Sequence, residues 1–339
     1  MAAQALSDHS LGTRPALDGL AELRAAAPAV AEPLEAFVQA EAPALVRLLA
    51  EEEAWARANV PNYPARPEAL AFRADGAATP AQWRARFIAA VRINPDSRLP
   101  LYLRRLPGDD DGGRDPLNWS RVTTLRSAST QIAARFVALR EGERVAPIDV
   151  LTGAADEPDY GLDIGLYADG GTAAGQAYGM GKLPFGNPAY EYSSQAPLHM
   201  GFFHESAIVY RAAPYLGRTF PEYRVHLWQR LAVHALKTGH TYWGWRFAGW
   251  ALHHIQDLTQ PYHARVLPGV GVARMLWING LDLVGLHGPK DSAITLVTNR
   301  HTAIENYQYH ALGAALRAGD AQQPLLQTLR DRSADPPPG

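Results

Sequence analysis

Apolar residues recur at helical spacing along much of the chain, and the places where that rhythm stops carry as much information as those where it holds. Leu34, Phe37, Val38, Ala42, Leu45, Leu48 and Leu49 trace one stripe, the pattern of an amphipathic helix with one buried face. Pro33 suits its first turn, whereas Pro43 inside the stripe kinks the helix or splits it in two. Pro61 to Pro67 end this region in a loop. Further helices are expected at Gln82–Val91, Arg121–Leu139, Glu222–Lys237, Thr241–Leu258 and about Ala293–Arg317, with Gly239 and Pro261 breaking the pattern. Neither an internal repeat nor a clear set of strands emerges. The expected class is all-α: a single helical domain over residues 1–330, then a disordered tail, 331–339, ending DPPPG.

Three stretches lack the helical period. LPGDDDGGRDPLN reads as a solvated turn, because three consecutive aspartates, Asp109 to Asp111, lack the alternating spacing of a calcium loop. Residues 153–198 hold seven glycines between Gly161 and Gly181 and read as a long irregular loop, a kind usually tied to function. Residues 265–289 are apolar and glycine-rich. They are read as a buried hairpin in preference to a lipid-touching one.

Composition then narrows the chemistry. The chain has 339 residues, a net charge of −2, and no cysteine. A near-neutral balance argues against a plain nucleic-acid-binding module. Without cysteine there is no disulfide framework, thiolate nucleophile or thiolate zinc site, so a metal must be held by imidazole, carboxylate, water or backbone. No apolar run is long enough to span a bilayer. The first residues, MAAQALSDHS, lack the basic and apolar regions of a signal peptide, so none is expected intact in this chain.

Histidine placement is the strongest raw signal. Of twelve histidines, eleven lie between His199 and His310, with His9 the exception. His253 and Asp257 are four apart on an expected helix and project from one face. Pro261 ends that helix, and the turned chain brings His263 back toward the same end, while the two oxygens of Asp257 suit a bridge between metals. His301 and Glu305 form a second such pair. Either pair alone is as readily a surface contact worth a few tenths of a kcal/mol. Together, with a proline-positioned third histidine, they define a candidate metal centre. His254 points about 100° from His253 and reads as packing. His226, His234, His240, His287 and His310 read as structural, and Trp228, Trp243, Trp245 and Trp250 as core.

The segment WALHHIQDLTQPYHA resembles the metal motif of the bacterial zinc-dependent phospholipase C family and the related single-strand-specific zinc nucleases. Those enzymes carry H-x-x-x-D, a Gln-Pro turn and a further His six residues after the Asp, matched here by His253, Asp257, Gln260, Pro261 and His263. His301 and Glu305 resemble the family's later ligand pair, Ala154-Ala155-Asp156 its upstream carboxylate segment, and Leu198-His199-Met200 its isolated histidine. HSLGTRPAL, starting at His9, is similar to the first-helix motif, although Gln4 stands where the nuclease branch has Trp. The resemblance implies one zinc on Asp156, His199, His253 and Asp257, and a second on His263, His301 and Glu305. It leaves open a third on His9 with Asp257 bridging. It implies that Asp156 doubles as the base toward the attacking water, and that the protein is secreted or periplasmic. His204 competes with His199, and Asp159 and Asp163 compete with Asp156.

For substrate, the apolar 265–300 region and Glu305 favour a phospholipase C-type hydrolysis of phospholipid head groups, with peripheral membrane contact and no stable protein partner. The alternatives are a nuclease or 3′-nucleotidase, with Tyr167, Tyr178, Phe202 or Phe203 stacking on bases, and a zinc-bearing scaffold without turnover.

Overall fold

Helices carry the architecture, with strands reduced to a small side element. The structure, a computed structural model, describes residues 9–76, 78–125, 134–186, 191–333 and 335. Gln4 and residues 336–339 of the expected tail lie outside them. Helix α1 (His9–Leu17) and the short α2 (Ala21–Ala25) precede strand β1 (Ala29–Val30). The apolar stripe then forms two helices, α3 (Leu34–Ala40) and α4 (Ala42–Asn59). The chain divides at Glu41, and Pro43 sits in the first turn of α4, where its missing N–H is not needed. Helix α5 (Pro80–Val91) begins with a reciprocal cap, in which Gln82 N donates to Thr79 Oγ1 and Thr79 N to Gln82 Oε1.

The helix expected over Arg121–Leu139 is not formed by the described residues. Strands β2 (Tyr102–Arg105), β3 (Pro116–Leu117) and β4 (Arg135–Ala138) instead make an antiparallel sheet in the order β2–β4–β3, with Tyr102 opposite Ala138. Phe136 and Val137 are both buried, Phe136 against Tyr102 and Tyr160 and Val137 in the main core. A strand buried on both faces shows no alternation, so its sequence cannot be told from a helix; the distant partner Tyr102–Arg105 decides. Strand β5 (Arg144–Val145) pairs with β1.

After β5 the chain is helical: α6 (Pro147–Ala154), α7 (Ala173–Ala177), α8 (Ala196–His199), α9 (Ala207–Ala212), α10 (Pro221–Lys237), α11 (Thr241–Asp257), α12 (Pro261–Ala264), α13 (Val272–Leu283), α14 (Gly288–Ala318) and α15 (Pro324–Arg330). The 153–198 region is thus a string of short helices and 3-10 turns in place of one extended loop. Nor is 265–289 a buried hairpin: α13 and α14 project, with Leu283 87% and Val284 72% exposed.

The centre of the molecule is the α10–α11 pair. Leu227, Trp228 and Leu231 pack with Trp243, Phe247 and Trp250, all at most 1% exposed. Gly249 lets α6 approach α11: a Cβ there would come within 2.6 Å of the Ala154 Cβ and the Leu151 carbonyl oxygen. That approach sets the segment following α6 beside the last turn of α11. At the other end, α1 rests on α14 and α15 through Leu11, Leu312 and Leu326, and Arg332 Nη2 donates to the Ala16 carbonyl at 2.8 Å.

Candidate metal centre

Three buried arginines pair with three of the four acids that follow α6, and Asp163 keeps its second oxygen 3.3 Å from His199 Nε2. The segment after α6 reads DEPDYGLD and carries Asp156, Glu157, Asp159 and Asp163. Asp156 pairs with Arg104 of β2 and also accepts from Ser10 N at 3.0 Å and the Tyr160 hydroxyl at 3.3 Å. Glu157 pairs with Arg246 at 2.8 Å, and Asp163 with Arg224 at 2.5 Å. Asp159, held by Gln195 Nε2 at 2.7 Å, is the acid of this segment without an arginine among the described residues. Its Oδ1 lies 3.7 Å from His199 Nδ1 and 3.9 Å from His253 Nε2, and its Oδ2 lies 3.7 Å from His9 Nε2.

His253 and Asp257 occupy the last turn of α11, as their spacing requires. His199 Nδ1 is 3.0 Å from His253 Nε2, and Asp257 Oδ2 is 2.9 Å and 3.1 Å from those two nitrogens. Ligands of a tetrahedral zinc lie about 3.3 Å apart when the bonds are about 2.0–2.1 Å. The atoms of His199, His253, Asp257 and Asp159 bracket that edge. His253 Nδ1 donates to the Ala155 carbonyl at 2.7 Å, which leaves the Nε2 lone pair directed at the cluster.

Asp257 links this cluster to a second. Gln260 caps α12, Pro261 starts it, and His263 Nδ1 comes back to 2.9 Å from Asp257 Oδ1. His263 Nε2 is 3.0 Å from His301 Nε2, which is 2.6 Å from Glu305 Oε1 one turn further along α14. The third grouping is His9, whose Nε2 is 3.8 Å from Asp257 Oδ1, and whose Nδ1 is 2.9 Å from Gln256 Oε1. The described residues therefore contain His/Asp/Glu groups able to hold a metal ion: His199, His253, His254 and Asp257; His9, Asp159 and His253; and His263, His301 and Glu305.

The donor set fits a cation. Twice, an imidazole nitrogen faces an imidazole nitrogen at 3.0 Å with a carboxylate oxygen beside them. Asp257 Oδ2 and His263 Nδ1 are buried without a hydrogen bond of ordinary geometry. Burial opposes the charge of Asp257, yet His253, His263 and His199 hold its carboxyl well below the usual range. Burial likewise opposes a charged His199, and Asp257 and Asp163 override it, raising the imidazolium to about 10. His254 is held neutral by burial and by His199.

Of the residues singled out in the sequence, His9, His199, His253, Asp257, His263, His301 and Glu305 are brought together, and Asp156 is not. Its carboxylate is taken by Arg104, Ser10 and Tyr160, whereas Asp159 lies against His9, His199 and His253. His204 is exposed and outside the groups. Tyr167 and Tyr178 are buried in the main core and offer no stacking face. A cavity of about 340 Å³ adjoins the second and third groups. Its wall includes His9, Asp257, His263 and Glu305 on one side and Ile304, Leu312, Leu325 and Leu329 on the other.

Comparison with known proteins returns no matching family model, no matching curated protein and no matching solved structure.

Proposed function

We propose that this chain is a zinc-dependent phosphodiesterase acting on phospholipid-type esters at the head-group phosphate. The observation that carries the reading is the sharing of Asp257 and Asp159 among neighbouring imidazole-carboxylate groups at the edge of one cavity. The set of His263, His301 and Glu305 offers three nitrogen and carboxylate donors on partly exposed residues, the open pattern of catalytic zinc, whereas the set around His199 and His253 is buried. Asp159, His199, His253 and Asp257 would hold the first ion, His263, His301 and Glu305 the second, and His9 with Asp257 the third. Bound there, divalent zinc supplies Lewis acidity toward a phosphoryl oxygen and a water acidified toward neutral pH. Asp159, whose Oδ1 faces His199 and His253, would keep its Oδ2 to accept a proton from that water. Asp156 fixes α1, and hence His9, through the Ser10 amide.

The wall of the cavity favours a lipid-type ester over nucleic acid. Ile304, Leu312, Leu325 and Leu329 are aliphatic, and the described lining residues include no Lys, Arg, Phe, Tyr or Trp. A single-stranded nucleic acid would be met by stacking rings and phosphate-neutralising cations.

Metal analysis of the purified protein, paired with turnover of bis-nitrophenyl phosphate, phosphatidylcholine and single-stranded DNA, tests the reading. About two to three zinc ions per chain are expected, with choline-lipid hydrolysis lost on chelation and restored by zinc. Cleavage of DNA without lipid hydrolysis would replace the reading by a nuclease. Bound zinc with no turnover of any ester would leave a scaffold.

A further inference from the structure

We infer that the hairpin of α13 and α14 docks this molecule on an anionic lipid bilayer. Solvent-exposed large apolar side chains concentrate there. Leu283, Val284 and Leu286 at the turn are 87%, 72% and 57% exposed, and Trp277, Ile294 and Leu296 extend the patch along both helices. Soluble surfaces seldom leave so contiguous an apolar patch uncovered. The three turn residues lie at and just beyond the end of α13, before α14 begins. Fluid acyl chains accommodate such a shape, and Trp277 has the amphipathic ring favoured at the lipid–water boundary.

Charge selects the same partner. Residues 265–300 carry Arg265, Arg274, Lys290 and Arg300 against Asp282 and Asp291; Arg265 faces Glu205 at 3.7 Å and Lys290 faces Asp282, which leaves Arg274 and Arg300 as the cations open to a partner. The negative charge of Asp282 is offset locally, since His287 Nδ1 and Lys290 Nζ each lie 2.6 Å from one of its oxygens. Between the helices is a cavity of about 310 Å³ whose lining includes Trp277, Ile278, Leu296 and Val297, with Arg274 and Arg300 at its edge. Neither arginine has a hydrogen bond or ion pair among the described residues, and both are exposed. An apolar cleft flanked by two unpaired guanidinium groups suits a phospholipid, with its phosphate on the arginines and an acyl segment below. Along α14 the tip stands 13 residues before His301, about 20 Å at 1.5 Å per residue, so docking brings the metal groups near the bilayer.

The inference stands apart from the hydrolytic reading and is tested without lipid turnover. The purified full chain is sedimented with phosphatidylcholine vesicles, with and without phosphatidylserine. Binding to the serine-containing vesicles is expected, weakening with salt. The double variant Leu283→Glu/Leu286→Glu should lower partitioning by about tenfold or more, with the far-ultraviolet spectrum and soluble-ester turnover retained. Arg274→Gln/Arg300→Gln should remove the preference for phosphatidylserine. Absence of vesicle binding, or binding indifferent to the tip variant, overturns the inference. So does an oligomer in lipid-free solution that the tip variant dissolves, which would assign the patch to a second copy of the chain. A chain that hydrolyses no ester yet binds vesicles through the tip keeps this inference and loses the hydrolytic one.

Discussion

Helix α11 has histidines at both ends, and the two ends do opposite things with them. At its start, His240 lies 2.9 Å from Glu32 through Nδ1 and 3.4 Å from Glu41 through Nε2, while His234 of α10 lies 2.7 Å from Glu41. Further along α10, His226 meets Glu52 at 2.7 Å. There every imidazole nitrogen in contact faces a carboxylate, and a proton completes the set. At the other end, His253 faces His199, and His263 faces His301, nitrogen to nitrogen at 3.0 Å. At that distance either one nitrogen keeps its proton and donates to the other, or a cation lies between two lone pairs. Identical residue types thus make carboxylate-paired imidazoles at one end and groups able to hold a metal ion at the other, according to whether nitrogen opposes oxygen or nitrogen opposes nitrogen.

The largest effect that can break this contrast is removal of metal. Chelation should destabilise the protein by roughly 5 kcal/mol or more, because the free energy of ion binding is then lost from the folded state alone. Thermal unfolding with and without chelator measures it, and an unchanged transition would erase the distinction between the two ends. His234→Gln, at the carboxylate-paired end, should leave zinc content as it was.

A smaller effect separates two aspartates three residues apart. Asp156→Asn strands the buried Arg104 guanidinium and should cost about 3–5 kcal/mol of stability while zinc is retained. Asp159→Asn should do the reverse, leaving the metal-free fold close to wild type and weakening zinc at least about tenfold. Parallel denaturant titrations and zinc competition assays read the crossing, and identical behaviour of the two variants would mean that the arginine pairing does not assign their roles.

The smallest effect lies at the carboxylate-paired end. Burial lifts Glu52 from 4.5 to about 7, only partly countered by Arg230, and its Oε1 has no hydrogen bond. A carboxyl that binds its proton more tightly when folded adds stability below pH 4.5, and that stability is lost as pH rises to 7. Glu52→Gln should therefore match the wild type in acid and exceed it above pH 7, by no more than about 3 kcal/mol. Stability curves across that window decide the matter, and a variant gaining stability toward acid would reverse the sign.

What the sequence made legible was local. The stripe at Leu34–Leu49, the break at Pro43, the His253–Asp257 spacing and the Gln260-Pro261 return to His263 depend on neighbours within a few residues, and each is found in the fold. Strand β4 was hidden because its partner lies at Tyr102–Arg105, and its own apolar residues serve two cores. Asp159 was hidden for the same reason. Nothing within Asp156–Asp163 says which acid escapes an arginine, since Arg104, Arg224 and Arg246 arrive from β2, α10 and α11. The signal available was a count: several acids in one short segment, with too few cations nearby to neutralise them.

The seating of α1 has a consequence for how the molecule is made. His9 leaves the ribosome early, but its helix rests on Leu312 and Leu326 and is tied by Arg332 to Ala16, a contact 316 residues apart in the chain. A nascent polypeptide can gather His199, His253 and Asp257 long before that anchor is synthesised. The grouping around His9 is thus the last to acquire its support, so products stopped short of α15 would keep the central cluster and lose the one nearest the start of translation.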